Sequence, residues 1–278
     1  MSNPVPISFE FFPPRDAPGR ERLIANVASK LNELGPQFFS VTYGAGGTTR
    51  DGTHQAVTGL IDAGFQAAPH FSIGGDDAAE ITATLDAYAA AGVNRIVALR
   101  GDQPSGYSSS RFGHNAEALV RLIREHSGDK FHLEVAAYPE IHPDAQSAAA
   151  DLDFFKRKVD AGADSAITQY FYNADAYENF LERSAAAGIS IPIVAGVMPI
   201  TNLEALIRVS EKCSAEVPRW LRYALADLQD DERATVDFSV DFVTDLCERL
   251  IALGAPGLHF YTLNRWGATT RIVANLAG

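Results

Sequence analysis

Residues Phe131–Tyr172 read FHLEVAAYPEIHPDAQSAAADLDFFKRKVDAGADSAITQYFY, and the fold is decided in this stretch. His132–Ala137 is a short run able to pair in a sheet. Tyr138-Pro139-Glu140-Ile141-His142-Pro143 cannot continue it, because each proline fixes φ and lacks an N–H. Asp144 is suited to cap a helix whose apolar face is Leu152, Phe155 and Val159, at helical spacing. Gly162 ends that helix and Ser165–Gln169 starts the next strand. Such a unit makes two neighbouring parallel strands with the helix packed on one face. Its polar residues Tyr138, Glu140, His142 and Gln169 collect where strands end and loops begin. In parallel α/β folds, ligands bind at that edge.

The same alternation extends in both directions. Upstream, Ile7–Phe12 reads as a buried first strand stopped by Pro13-Pro14, with Glu10 as its only ionisable group. A helix over 19–34 presents Leu23, Val27, Leu31 and Leu34 on one side. Strands follow at Phe38–Thr42, at Gln66–Phe71 with His70 at its end, and at Arg95–Leu99, which runs into Arg100-Gly101-Asp102. An Ala-rich helix over 76–91 ends at Gly92. The Ser/Gly-rich segment 103–113 has the composition of a mobile loop. Downstream lie a helix over 173–187, a strand at Ile191–Val197, and three helical patterns within 202–253, the first capped by Thr201. Gly257–Tyr261 and a closing helix complete the chain. About eight strand–helix units in 278 residues predict an α/β fold, a single (β/α)8 TIM barrel over 1–278 with extra helices before the last strand. An open doubly wound sheet is the alternative.

Bulk properties exclude several classes. A composition 46% hydrophobic and 21% charged is that of a globular protein with a large core. No run of eighteen apolar residues spans a membrane, and MSNPVP carries no secretory pattern, so a cytoplasmic location is expected. The net charge of −12 speaks against nucleic acid. It leaves room for a small anion held by Lys156-Arg157-Lys158. Cys213 and Cys247, in helical patterns without a Cys-x-x-Cys, read as buried fillers in a reducing compartment.

In a barrel, the loops after the strands bring Glu10, Thr42, His70, Arg100, Asp102, Tyr138, His142, Gln169 and Arg265 to one mouth. Glu10, flanked by Phe9 and Phe11, is expected to be poorly solvated, with a raised pKa suited to proton donation. His70, His142 and Asp102 lack metal-ligand spacing, and no Gly-x-Ser-x-Gly occurs. Tyr43-Gly44-Ala45-Gly46-Gly47-Thr48-Thr49 departs from a dinucleotide fingerprint at its sixth position. Residue chemistry alone therefore gives an acid–base barrel enzyme for a sizeable ligand.

The segments SFEFFPP (Ser8–Pro14), VTYGA (Val41–Ala45), APH (Ala68–His70), ALRGD (Ala98–Asp102), YPEIHP (Tyr138–Pro143), KRKVDAGA (Lys156–Ala163), ITQ (Ile167–Gln169) and FYTLNR (Phe260–Arg265) resemble, in order, those of the bacterial methylenetetrahydrofolate reductases. The resemblance implies a flavoprotein that reduces 5,10-methylenetetrahydrofolate to 5-methyltetrahydrofolate. NADH or NADPH would reduce FAD and leave before the folate enters. Glu10 and Asp102 would be the catalytic pair: Glu10 a general acid at N10, Asp102 a charge favouring the electron-poor iminium. Glu10, Asp102, Gln169 and Arg265 would contact substrate. The FAD positions would be Thr42, Tyr43, Ala45, His70, Arg100, Gly101, Asp102, Ala116, Tyr138, His142, Ala145, Asp151, Arg157 and Lys158. Asp151, Phe154 and Lys158 independently share a helical face suited to a ribose and a pyrophosphate. The resemblance also implies a homo-oligomer. Phe154, Leu203, Gly46–Thr49 and Ala195–Pro199 depart from the pattern of that family. Two further readings stand beside it, a flavin-free pterin or folate enzyme and a catalytically silent barrel.

Overall fold

The computed structural model describes residues 5–43, 50–73, 78–100 and 115–278. Eight strands close into a parallel barrel in sequence order: β1 (Ile7–Phe11), β2 (Phe39–Val41), β3 (Ala67–Ser72), β4 (Arg95–Leu99), β5 (His132–Ala137), β6 (Ser165–Thr168), β7 (Ile193–Val197) and β8 (Leu258–Tyr261). Closure is made by β1 against β8, with Ile7 opposite Leu258 and Glu10 opposite Tyr261. The barrel bears out the expected fold and replaces the open-sheet alternative. Strands buried on both faces suit an open doubly wound sheet as well as a barrel; the pairing of β1 with β8 leaves no edge strand and decides for the barrel.

Among the described residues the helices are α1 (Ala17–Arg22), α2 (Ser29–Asn32), α3 (Arg50–Asp62), α4 (Ala78–Ala90), α5 (Ala116–Ser127), α6 (Ala148–Asp160), α7 (Ala174–Ala186), α8 (Leu203–Cys213), α9 (Arg219–Asp227), α10 (Glu232–Ala252) and α11 (Gly267–Leu276). The helix expected over 19–34 is split by a π-helical turn, Leu23–Ala28, between α1 and α2. The three patterns read within 202–253 are α8, α9 and α10. No described helix is long and apolar enough to cross a membrane.

Two caps differ from expectation. Ser147, rather than Asp144, caps α6 by accepting from Ala150 N at 3.2 Å. Asn202, rather than Thr201, caps α8 by accepting from Ala205 N at 2.7 Å. In each case the capping side chain lies immediately before the first helical residue, where its oxygen reaches an orphan N–H. Cys247 is buried as expected; Cys213 is half-buried, its Sγ 3.3 Å from the Tyr170 hydroxyl.

The main core lies between barrel and helices. A second, smaller cluster of Phe38, Ala68, Val97 and Ile167 fills the inside of the barrel. At its base the Arg95 guanidinium stacks 4.5 Å over the Phe38 ring and pairs with Glu134, which is only 2% exposed. Burial pushes the Glu134 carboxyl up, but His132, Arg95 and Ser165 outweigh it and hold the pKa low. The charged plug closes the bottom and leaves the opposite end open as the mouth.

Candidate active site

Glu10 sits near the C-terminal end of β1, in register with Ser40 on β2 and Tyr261 on β8. It is 9% exposed, so the expected burial is observed. The raised pKa is not. Burial does push the carboxyl up, but His70 Nε2 at 3.1 Å and His259 Nε2 at 3.7 Å prevail, and the pKa drops to about 2. The flanking phenylalanines pointed the wrong way because they face the helices: Phe9 and Phe11 pack on Phe39, while Glu10 alternates inward to two imidazoles.

His259 was not singled out from the sequence. It is fully buried, its Nδ1 lies 2.7 Å from Ser8 Oγ, and its Nε2 lies 3.5 Å from Ser40 Oγ. Ser8 and Glu10 are two apart on β1, as are His259 and Tyr261 on β8, and that shared period was the available signal. Thr262 Oγ1 donates to the Glu10 carbonyl at 2.7 Å. Asn264 clamps Phe12, accepting from its N–H and donating to its carbonyl, both at 2.9 Å. These contacts tie the end of β1 to the turn after β8, and Glu10 is thereby fixed at the mouth.

Tyr261 crosses the interior and donates to the Thr168 carbonyl at 2.8 Å. Burial, reinforced by the nearby Glu10 charge, pushes its pKa well up, so the hydroxyl keeps its proton. Gly196 makes this crossing possible, because a Cβ there would lie 2.1 Å from Thr168 O and 2.8 Å from the Tyr261 ring. Gln169 follows β6, half-buried, with its Oε1 accepting from Tyr170 N at 3.1 Å. Arg265 follows β8 and is exposed.

The wall built by β4, β5 and α6 carries the other expected residues. The Tyr138 and His142 rings meet edge-on with centroids 4.5 Å apart. Asp151 Oδ2 accepts from His142 N at 3.0 Å, which orders the loop after β5. Burial and the Arg100 charge lower the His142 pKa, favouring the neutral ring. Ala145 N donates to His142 O, and Ala116 opens α5 beneath this wall.

The triplet Lys156-Arg157-Lys158 is not one basic patch. Lys156 pairs with Asp160, and Arg157 stacks 4.1 Å over the Phe154 ring with Asp153 and Glu117 within 4 Å. Only Lys158 turns inward, donating to Ala136 O at 2.5 Å, and burial pushes its pKa down to about 8. A 100° step per residue sends consecutive side chains to different faces, so a charge run in sequence is dispersed in space. Arg100 extends from the end of β4 to pair with Asp144 at 2.5 Å.

Thr42 Oγ1 is buried and has no hydrogen-bond partner among the described residues. Tyr43 beside it is half-buried. Ala45, Gly101, Asp102 and the segment 103–113 lie outside the described residues. No cluster of metal-ligating side chains occurs among the described residues.

An eight-stranded parallel barrel with a buried carboxylate, two imidazoles and cationic side chains at its mouth defines a (β/α)8 enzyme with acid–base machinery. The methylenetetrahydrofolate reductase profile matches residues 2–277. The chain is 39% identical over 262 residues to the 5,10-methylenetetrahydrofolate reductase of Escherichia coli (strain K12), covering 94% of this chain and 87% of that one. It is 35% identical to methylenetetrahydrofolate reductase (NADH) 1 of Arabidopsis thaliana, over 97% of this chain and 48% of that protein. Among solved structures, an uncharacterized protein from Clostridium thermocellum that binds two copies of 5-methyl-5,6,7,8-tetrahydrofolic acid superposes with a TM-score of 0.70. It is 17% identical and covers 98% of this chain and 94% of that one, a likeness of fold. The chain belongs to the methylenetetrahydrofolate reductase family. Its reaction is the reduction of 5,10-methylenetetrahydrofolate to 5-methyltetrahydrofolate.

Proposed function

We propose that the chain carries out this reduction with FAD as resident cofactor and NADH as reductant, in two half-reactions at one mouth, with Glu10 as the proton donor. The observation that carries the reading is the buried Glu10 carboxylate held between His70 and His259 at the open end of the barrel. When bound, FAD supplies a ring that accepts a hydride from the nicotinamide and delivers it to the one-carbon unit. The residues fit such a group. Thr42 Oγ1 is a buried polar atom in need of a partner, and Lys158 and Arg100 bring positive charge to an acidic protein. Thr42, Tyr43, His70, Arg100, Ala116, Tyr138, His142, Ala145, Asp151, Arg157 and Lys158 would hold it. Resemblance adds Ala45, Gly101 and Asp102.

Glu10 is ionised in the ligand-free site, so it must gain a proton before it can act as an acid. Two features favour that gain. A folate covering the mouth removes the remaining water, and burial is already the strongest influence raising this carboxyl. His70 at 3.1 Å, on the mouth side, and His259 at 3.7 Å, hydrogen-bonded to Ser8, adjoin the carboxylate that takes up the proton. Delivery to N10 of the substrate opens its five-membered ring and leaves an iminium carbon. Asp102, carried by resemblance, would stabilise that cation. Gln169 both donates and accepts hydrogen bonds, so one amide can serve a nicotinamide and a pterin in turn. Arg265, exposed beside the mouth, would meet the folate carboxylates.

Stopped-flow absorbance of the flavin separates the half-reactions. Glu10→Gln should leave reduction by NADH intact and slow reoxidation by methylenetetrahydrofolate about 10²–10⁴-fold, the range for loss of a positioned acid. Normal reoxidation removes Glu10 from the mechanism. A colourless protein that cannot be reconstituted with FAD overturns the cofactor assignment.

A further inference from the structure

Asp144 was read from the sequence as a helix cap, and Ser147 does that work. Asp144 instead has its carboxylate on Arg100, with Nη2 to Oδ2 at 2.5 Å across 44 residues of sequence. Its backbone is fixed independently of that contact, because Asp144 N donates to His142 Nδ1 at 3.0 Å and His142 N donates to Asp151 at 3.0 Å. The carboxylate is thus held against Arg100 by an ordered loop. Arg100 depresses the Asp144 pKa by hydrogen bond and charge, so the side chain is a full anion at neutral pH.

The geometry points to Asp144 as a residue that lowers cofactor affinity, by occupying on Arg100 a place that the cofactor's diphosphate would take. This rests on the FAD reading above. Arg100 binds carboxylate and phosphate with the same planar fork, so the two anions compete for one donor set. Both partners are substantially exposed, with 41% and 61% of the side chains open, so exchange is cheap and the pair is a replaceable clasp. Once the diphosphate is seated, the displaced Asp144 stays tethered beside it as a like charge and is ready to retake Arg100 as the cofactor leaves. The chain therefore carries an internal anion that weakens binding and speeds release. Asp144 differs in this from Asp151, whose carboxylate is committed to a backbone N–H.

The test is FAD release from the holoenzyme, followed by recovery of flavin fluorescence on dilution, with equilibrium affinity measured on reconstituted protein. Asp144→Asn keeps size and loop geometry and removes the charge. It should bind FAD about three- to tenfold more tightly, with slower release, the size expected for an exposed ion pair exchanged for a like-charge contact. The gain should shrink in molar salt, which screens exposed charges. In an Arg100→Ala background, where FAD is held less tightly and no ion pair is left to displace, Asp144→Asn should give a clearly smaller gain than in the parent. Unchanged or weaker binding in Asp144→Asn overturns the proposal, because Asp144 would then be orienting Arg100. An equal gain with and without Arg100 also overturns it, because the charge would be acting at a distance. If the unsubstituted chain binds no FAD, the cofactor reading itself fails and the proposal falls with it.

Discussion

Replacing Glu10 by glutamine makes a prediction about stability that is separate from catalysis. The carboxylate is 9% exposed and lies 3.1 Å from His70 Nε2. Its pKa falls from 4.5 to about 2, and at about 1.4 kcal/mol per unit this favours the ionised folded form by about 3 kcal/mol. A depressed acid contributes stability that is complete above the unfolded pKa and is lost as the pH falls through the folded one. Glutamine has the shape of the protonated acid and none of its charge. The variant should therefore be less stable than the parent by up to about 3 kcal/mol at pH 7, seen as a melting point lower by about 6–12 °C in a chain of this size. That gap should hold down to about pH 5 and close between 4.5 and 2, because the parent loses its contribution there and the variant has none to lose. Urea unfolding of both proteins at several pH values between 7 and 3 measures it. A gap that does not narrow on acidification, or a variant more stable than the parent at pH 7, would refute the picture of an ionised Glu10 held by two histidines.

Lys158 is ionised at neutral pH and discharges as the pH rises through about 8, because burial disfavours its charged form. Lys158→Met should bind FAD about 10–100-fold more weakly at pH 7 by equilibrium titration, the worth of one charge-assisted contact. The parent should lose affinity between pH 7.5 and 9.5 while Lys158→Met stays level; a parent with no such decline would show that Lys158 does not face the cofactor. Gly196→Ala forces a Cβ against Thr168 O, where only 2.1 Å is available, and should destabilise the barrel by about 1–3 kcal/mol or more. Adding Tyr261→Ala relieves the ring contact and not the backbone one, so the melting point of the double variant should not recover toward that of Tyr261→Ala alone.

Periodicity and punctuation in the sequence point to the architecture. Gly35, Gly92, Gly162 and the prolines after β1, β5 and β7 mark element ends, and a strand–helix alternation repeated eight times allows few topologies other than a barrel. The order of strands then delivered Glu10, His70, Arg100, Tyr138, His142 and Gln169 to one end, because in a parallel barrel every strand finishes at the same mouth. These are local or topological facts and are written in the chain. The protonation state of Glu10 is of another kind. Phe9 and Phe11 beside it in sequence suggested an apolar setting, whereas its real neighbours are 60 residues away at His70 and 249 residues away at His259. The pairing of Asp144 with Arg100 and the dispersal of Lys156, Arg157 and Lys158 to three environments are likewise invisible in one dimension. Electrostatic interactions fall off with distance through space, not along the chain, so the sequence determined which charges reach the mouth, and only closure of β1 against β8 decided which of them meet.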